Sequence, residues 1–240
     1  MIAQNQKSLI NAVVANDQEN SRPALEAIEK RFSAIVVEVN AGKNGEVMAG
    51  KHSFEKLYLS NLKKLLPANN GWLFEQPEEL VMFVVLKDDP LKLWDSFCKV
   101  VDQYQELFTS FNDGVRKKGP IRLVVSGKLP IDDLIRNSPS WYGIMVPLNE
   151  AEKYEAWRNP VVMFDYKKHF KWKGDEHMPN AQYHSLLSYS KNVHKANKLI
   201  YLSNTYAGNN YWNILLGAGV DYIEIDNLQS YIDFVRNRYK

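Results

Sequence analysis

The feature that most constrains this chain is the regular alternation of two hydrophobic patterns. Short apolar runs with no polar face, such as Ala34 to Val39 and Leu80 to Leu86, are each followed by a segment whose apolar residues recur at helical spacing. A continuous apolar run suits a parallel strand buried on both faces. The spacing predicts strands at Ser8 to Ala15, Ala34 to Val39, Leu80 to Leu86, Ile121 to Val125, Trp141 to Val146, Val161 to Phe164, Lys198 to Leu202 and Tyr222 to Ile225. The helices that follow run from Pro23 to Phe32, Ser53 to Leu66, Pro90 to Phe111, Ile131 to Asn137, around Glu150 to Trp157, Asn180 to Ala196, Asn210 to Leu216 and Leu228 to Tyr239. Eight β-then-α units with short connections predict a closed (β/α)8 TIM barrel of the α/β class.

One domain over residues 1–240 accommodates all of it, because single barrels commonly have about 250 residues. Two irregularities stand out. Lys43-Asn44-Gly45 predicts a hairpin turn, since Asn-Gly readily takes the left-handed conformation, with Glu46 to Ala49 as the return strand. Asn69 to Glu79 reads as a loop with exposed Trp72 and Phe74. A net charge of +2 without a clustered basic face gives no case for a nucleic-acid partner. The lone Cys98 excludes a disulfide framework and reads as a structural thiol. No apolar run reaches the roughly 18 residues of a membrane span. Met1 to Lys7 is polar and shows no secretory signal.

Barrel chemistry is placed at the C-terminal ends of the strands, so those positions carry the functional reading. The segments there are Val13-Val14-Ala15-Asn16-Asp17 with Arg22-Pro23, then Val37-Glu38-Val39-Asn40, and Val47-Met48-Ala49-Gly50-Lys51. Further along come Val84-Val85-Leu86-Lys87, Ser126-Gly127, Lys168-His169-Phe170-x-Trp172-x-Gly174 and Gly217-Ala218-Gly219-Val220-Asp221. In order and spacing these segments resemble the PLC-like phosphodiesterase superfamily, which includes the glycerophosphodiester phosphodiesterases and phosphatidylinositol-specific phospholipases C. The pattern of the closest group reads His-x-His-Asn-Asp-Tyr with Arg-Pro, then Glu-x-Asp, then Ala-His-Asp, with a third strand closing on acid-x-Lys.

The resemblance implies a metal-dependent phosphoric diester hydrolase, and at the same time where this chain departs from one. Ala15 and Gly50 stand at the two histidine positions. Asn40 and Val85 stand at metal-ligand positions, leaving Glu38 as the acid of that set. Phosphodiester cleavage needs one group to take a proton from the attacking hydroxyl and another to protonate the leaving alkoxide. Alanine and glycine do neither. A hard divalent cation wants several carboxylates, so no cofactor is expected beyond weak calcium or magnesium. The expectation is a pseudoenzyme that binds a small anionic or polyol ligand, or a partner, at the old mouth. The resemblance also implies lipid metabolism and export from a bacterial cell, although the residues themselves read equally for a cytoplasmic protein.

Each candidate carries a plainer reading beside the functional one. Asn16 and Asp17 would shape the mouth, or hold the start of the first helix. Arg22 would fork onto a phosphate, or cover that helix. Lys87 would point into the mouth, or pair with Asp88 or Asp89. His169 and Trp172 would pack over a ligand, or fold a long loop onto the rim. Two alternatives remain at this point. One is a working hydrolase with a rebuilt site around His52, Glu38 and Asp17, which His52 beside the cap Ser53 makes the less natural reading. The other is a protein- or glycan-binding module with an aromatic rim.

Overall fold

Eight runs with few polar residues pair edge to edge because each has two faces to bury. A computed structural model describes residues 9–15, 17–20, 22–87, 90–112, 115–127, 129, 131 and 141–238. The barrel strands are β1 (Ile10–Val14), β2 (Phe32–Ala41), β3 (Leu80–Leu86), β4 (Ile121–Gly127), β5 (Tyr142–Pro147), β6 (Val161–Asp165), β7 (Leu199–Ser203) and β8 (Tyr222–Ile225). Each pairs in parallel with the next, and β8 pairs with β1, so the sheet closes on itself. This is the (β/α)8 barrel expected from the alternation.

Side chains alternate across each strand. Those pointing inward include Val13, Ala34, Val36, Phe83, Val124, Tyr201 and Tyr222, which fill the lumen as a core of their own. Phe83 stacks on Tyr201 at 4.9 Å and meets the edge of Tyr222 at 5.8 Å. Outward-pointing residues such as Ile35, Val37, Met82 and Val125 join a larger core beneath the helices. The helices are α1 (Leu25–Glu29), α2 (Ser60–Leu65), α3 (Pro90–Asp102), α4 (Tyr166–His169), α5 (Asn180–Lys195), α6 (Asn209–Gly217) and α7 (Leu228–Arg238).

Several helices are shorter than the periodicity predicts. The first is bracketed by Ala24 at φ 60° and Arg31 at φ 62°, and the left-handed backbone at both ends stops it. The third ends at Asp102, whose carboxylate accepts from Trp141 Nε1 at 3.0 Å. A hairpin of Ser110–Asn112 and Val115–Lys117 follows instead of more helix. The expected helix around 150–157 is only a turn at Leu148–Glu150. There the buried Lys198 ammonium donates to the carbonyls of Ala151 and Tyr154, drawing off acceptors a helix would use. The expected helix from Ile131 to Asn137 lies, apart from Ile131, outside the described residues. Phe74 is buried, against the expectation of exposure, and Trp72 is half-buried.

The hairpin after β2 forms as the Asn-Gly pair predicts, with Asn44 at φ 64° and Gly45 at φ 78°. Val47–Ala49 returns antiparallel to β2, and His52–Ser53 adds one more short strand. No described helix is long and apolar enough to cross a membrane.

Candidate functional site

The C-terminal ends of the strands form a mouth with an apolar floor and a polar rim. Ala15, Val85 and Met163 make the floor, packed on the lumen core. Above Val85 the β2–β3 ladder runs one step past the strand, with Lys87 N donating to Val39 O at 3.0 Å. Glu38 and Val85 are register partners on these neighbouring strands. Lys87 lies two residues beyond Val85 and therefore on the same inward face. The outcome is an ion pair, Lys87 Nζ to Glu38 Oε1 at 2.6 Å, with both side chains about half exposed.

The opposite rim carries a second polar group. Tyr201, buried in the lumen, donates its hydroxyl to the Glu224 carboxylate. Burial pushes the Tyr201 phenol well above its ordinary range, and the Glu224 and Glu38 carboxylates push it the same way. It therefore acts as a hydrogen-bond donor and not as a base. Asn204 ties the rim together: its backbone N–H donates to Glu224 Oε1 at 3.1 Å and its amide to Asp165 Oδ2 at 3.0 Å. Lys168 reaches the same Asp165 oxygen at 3.1 Å. Asp165 Oδ1 is buried and has no hydrogen-bond partner among the described residues.

The other candidates sit apart from this ring. Asp17 is fully buried on the helix side of the barrel, beside Tyr58. Its carboxylate accepts from Ala24 N at 2.7 Å and from Asn20 Nδ2 at 3.2 Å, so it holds the strained start of α1. Burial raises its pKa above the usual carboxylate value, against those hydrogen bonds. Arg22 forks onto Glu29 on the exposed face of α1. Asn16 lies outside the described residues. Asn40, half-buried, shares the inward face of β2 with Glu38 and is paired in register with Met48.

Gly50 takes φ +59° in the tight turn before His52, and a Cβ there would lie 3.7 Å from Gln18. The fold thus sets position 50 against the loop that follows Ala15. His52 is exposed on the hairpin, in register with Ala49. His169 is exposed and stacks on Phe164 at 4.2 Å. Among the described residues neither imidazole is hydrogen-bonded to a carboxylate. Trp172 is buried, stacks on Tyr211 at 5.4 Å and donates to Asp175 O at 2.6 Å, folding its loop onto the rim. Asn204 had no motif to mark it. It takes a left-handed backbone, φ 53°, directly after β7, a conformation asparagine tolerates.

Positions 38, 40 and 85 do not offer the donor set that a hard divalent cation takes. Such an ion takes six or more oxygens, several of them carboxylate. Here Glu38 is already paired, position 40 offers an amide, and position 85 offers a methyl group. Among the described residues no three His, Cys, Asp or Glu side chains are grouped to hold a metal.

Solved structures of like shape share this barrel along nearly its whole length. A glycerophosphodiester phosphodiesterase from Parabacteroides distasonis matches with a TM-score of 0.57 at 14% identity, covering 97% of this chain and 100% of the other. This chain shares the (β/α)8 barrel fold of that enzyme. A phosphodiesterase from Oleispira antarctica, solved with its product sn-glycerol-3-phosphate, matches with a TM-score of 0.57 at 11% identity over 95% of this chain and 97% of the other. One from Thermotoga maritima matches with a TM-score of 0.50 at 14% identity over 94% and 97%. No protein-family model matches the sequence, and no curated protein matches it either.

Proposed function

We propose that this protein is a non-catalytic relative of the glycerophosphodiester phosphodiesterases that binds a small polyol-type ligand at the barrel mouth. The observation that carries this reading is the make-up of the mouth. Ala15 and Gly50 stand where the resemblance places the two histidines and Val85 where it places a metal-ligand acid, while the rim keeps hydrogen-bonding side chains. Ala15 and Val85 pack downward on the lumen, and Gly50 faces Gln18. None of these three can move a proton. The rim supplies Glu38, Lys87, Glu224, Asn204 and Asp165, whose buried Oδ1 is an acceptor without a donor among the described residues. Carboxylates, an amide and an ammonium at the rim are partners suited to the hydroxyls of a polyol.

A rearranged active site at His52 is the competing reading. It has lost one of its members, because Asp17 is buried and engaged with Ala24 and Asn20.

The test is hydrolysis of bis-p-nitrophenyl phosphate and glycerophosphocholine, with and without calcium or magnesium, for the wild type and His52→Ala. The expected result is no turnover in the wild type above that of the variant. Metal-dependent turnover abolished by His52→Ala would overturn the proposal.

A further inference from the structure

We infer that Glu224 is the ligand anchor of this mouth, and that the group it takes is a primary ammonium carried on a polyol, as in an amino sugar. This assignment deepens the mouth reading above and rests on it.

Three carboxylates are tied into the rim, and their partners differ in kind. Glu38 is held by the Lys87 ammonium at 2.6 Å, and Asp165 by the Lys168 ammonium at 3.1 Å. Glu224 is held by neutral donors: the Tyr201 hydroxyl on one oxygen and the Asn204 backbone N–H, at 3.1 Å, on the other. Among the described residues no lysine or arginine forms an ion pair with it. The cations nearby are placed otherwise. Lys168 is engaged by Asp165, and the Lys167 ammonium lies over the Tyr206 ring, 4.8 Å from its centre. Lys171 and Lys173 stand exposed on the loop that Trp172 pins.

Two neutral donors fix where the Glu224 carboxylate sits without cancelling its charge. Each carboxylate oxygen has two lone pairs, so both keep room for a further donor. An ionised donor makes a hydrogen bond roughly twice as strong as a neutral one, so an ammonium is the group this carboxylate favours most.

Space for it lies on the β1 side. Ala15 N donates to Ile225 O at 2.8 Å, which sets Ala15 beside Glu224 at the foot of the mouth. Its side chain is a half-buried methyl group, so that strand places nothing bulkier next to the carboxylate. On the other side, the exposed Asn204 turns its amide nitrogen to Asp165 and brings its amide oxygen as a second acceptor. An ammonium has three donors and no acceptor; here it meets a carboxylate, an amide oxygen and water. A phosphate would instead meet Glu224 and Asp165 with like charge. Beyond Ala15, on the far side of β1, the half-exposed Glu38–Lys87 pair offers an acceptor and a donor to the ligand's hydroxyls.

The test is calorimetric titration with glucosamine, N-acetylglucosamine and glucose, of which glucosamine alone carries an ammonium. Glucosamine should bind about tenfold tighter than either of the others. That advantage should vanish in Glu224→Gln, which keeps one acceptor oxygen and removes the charge. Equal affinities in the wild type would overturn the inference. So would an advantage that survives in Glu224→Gln, or one that is lost only in Asp226→Asn, the exposed carboxylate next along the chain. The three sugars are compared on the wild type, so the ranking decides the matter even if Glu224→Gln does not fold. Equal binding would leave the polyol reading of the mouth standing, whereas no heat from any of the three at millimolar concentration would overturn both. Phosphodiester turnover would break the non-catalytic reading without changing the ranking of the sugars.

Discussion

At the C-terminal ends of the strands, Glu38 pairs with Lys87, Asn204 joins Glu224 to Asp165, and all of these side chains reach solvent. At the N-terminal ends, Lys198 and Asn159 are sealed from solvent and held by backbone. Lys198 donates to Ala151 O and Tyr154 O. Asn159 Nδ2 donates to Ile144 O at 2.6 Å and Val161 O at 3.1 Å, locking β5 to β6. The two ends use polar groups for opposite purposes. A buried donor tied to carbonyls cannot be exchanged for anything else, so it serves the fold. A half-exposed pair such as Glu38 and Lys87 can trade its pairing for a ligand. Between the ends lies a lumen packed with Phe83, Tyr201 and Tyr222.

The sharpest way to break this comparison is to open the lumen. Phe83→Ala removes a fully buried ring and should cost about 3–5 kcal/mol in a denaturant melt. A loss below 1 kcal/mol would mean the lumen between the two ends is not the close-packed core described. Next in size is Lys198→Met, which keeps the length of the chain but leaves two carbonyls without their donor. It should cost about 1–3 kcal/mol, and a neutral result would place Lys198 among the exchangeable groups.

A third effect depends on pH. Asp17 has a folded-state pKa above that of the unfolded chain, chiefly because burial disfavours its charge. Between the two values the native state holds a proton that the unfolded chain has released, so stability falls as pH rises through that window. Asp17→Asn keeps the acceptor for Ala24 N but cannot titrate. Denaturant melts from about pH 4 to 7, upward from the ordinary carboxylate value, should show the wild type losing stability relative to this variant. Parallel curves would mean Asp17 is not the buried, desolvated group described here. The smallest effect belongs to the mouth. A double-mutant cycle with Glu38→Gln and Lys87→Met should give a coupling of about 0.2–1 kcal/mol, because both side chains are about half exposed. A coupling several times larger would show that the pair is as fixed as the groups at the other end.

The barrel was legible because its strands declare themselves twice over, being buried on both faces and bounded by helical periods. The hairpin at Asn44-Gly45 was equally legible, since its two left-handed residues are the types that tolerate that backbone. The helix around 150–157 misled because apolar spacing there was read without Lys198, which lies some 40 residues on and claims its carbonyls. The site divided in the same way. Ala15, Gly50 and Val85 could be read as chemically silent from residue type alone. The engagement of Asp17 with Ala24, of Arg22 with Glu29 and of Asn204 with both Glu224 and Asp165 could not.

By itself, the sequence determined the eight barrel strands and which mouth positions lack a proton-carrying group, because both depend on residue type and local period. Only the tertiary structure decided that Lys87 would meet Glu38, and that Tyr201 would fill the lumen and donate to Glu224 instead of lining a loop. Those contacts join residues tens of positions apart, and they are fixed by strand register and barrel closure, which no local pattern encodes.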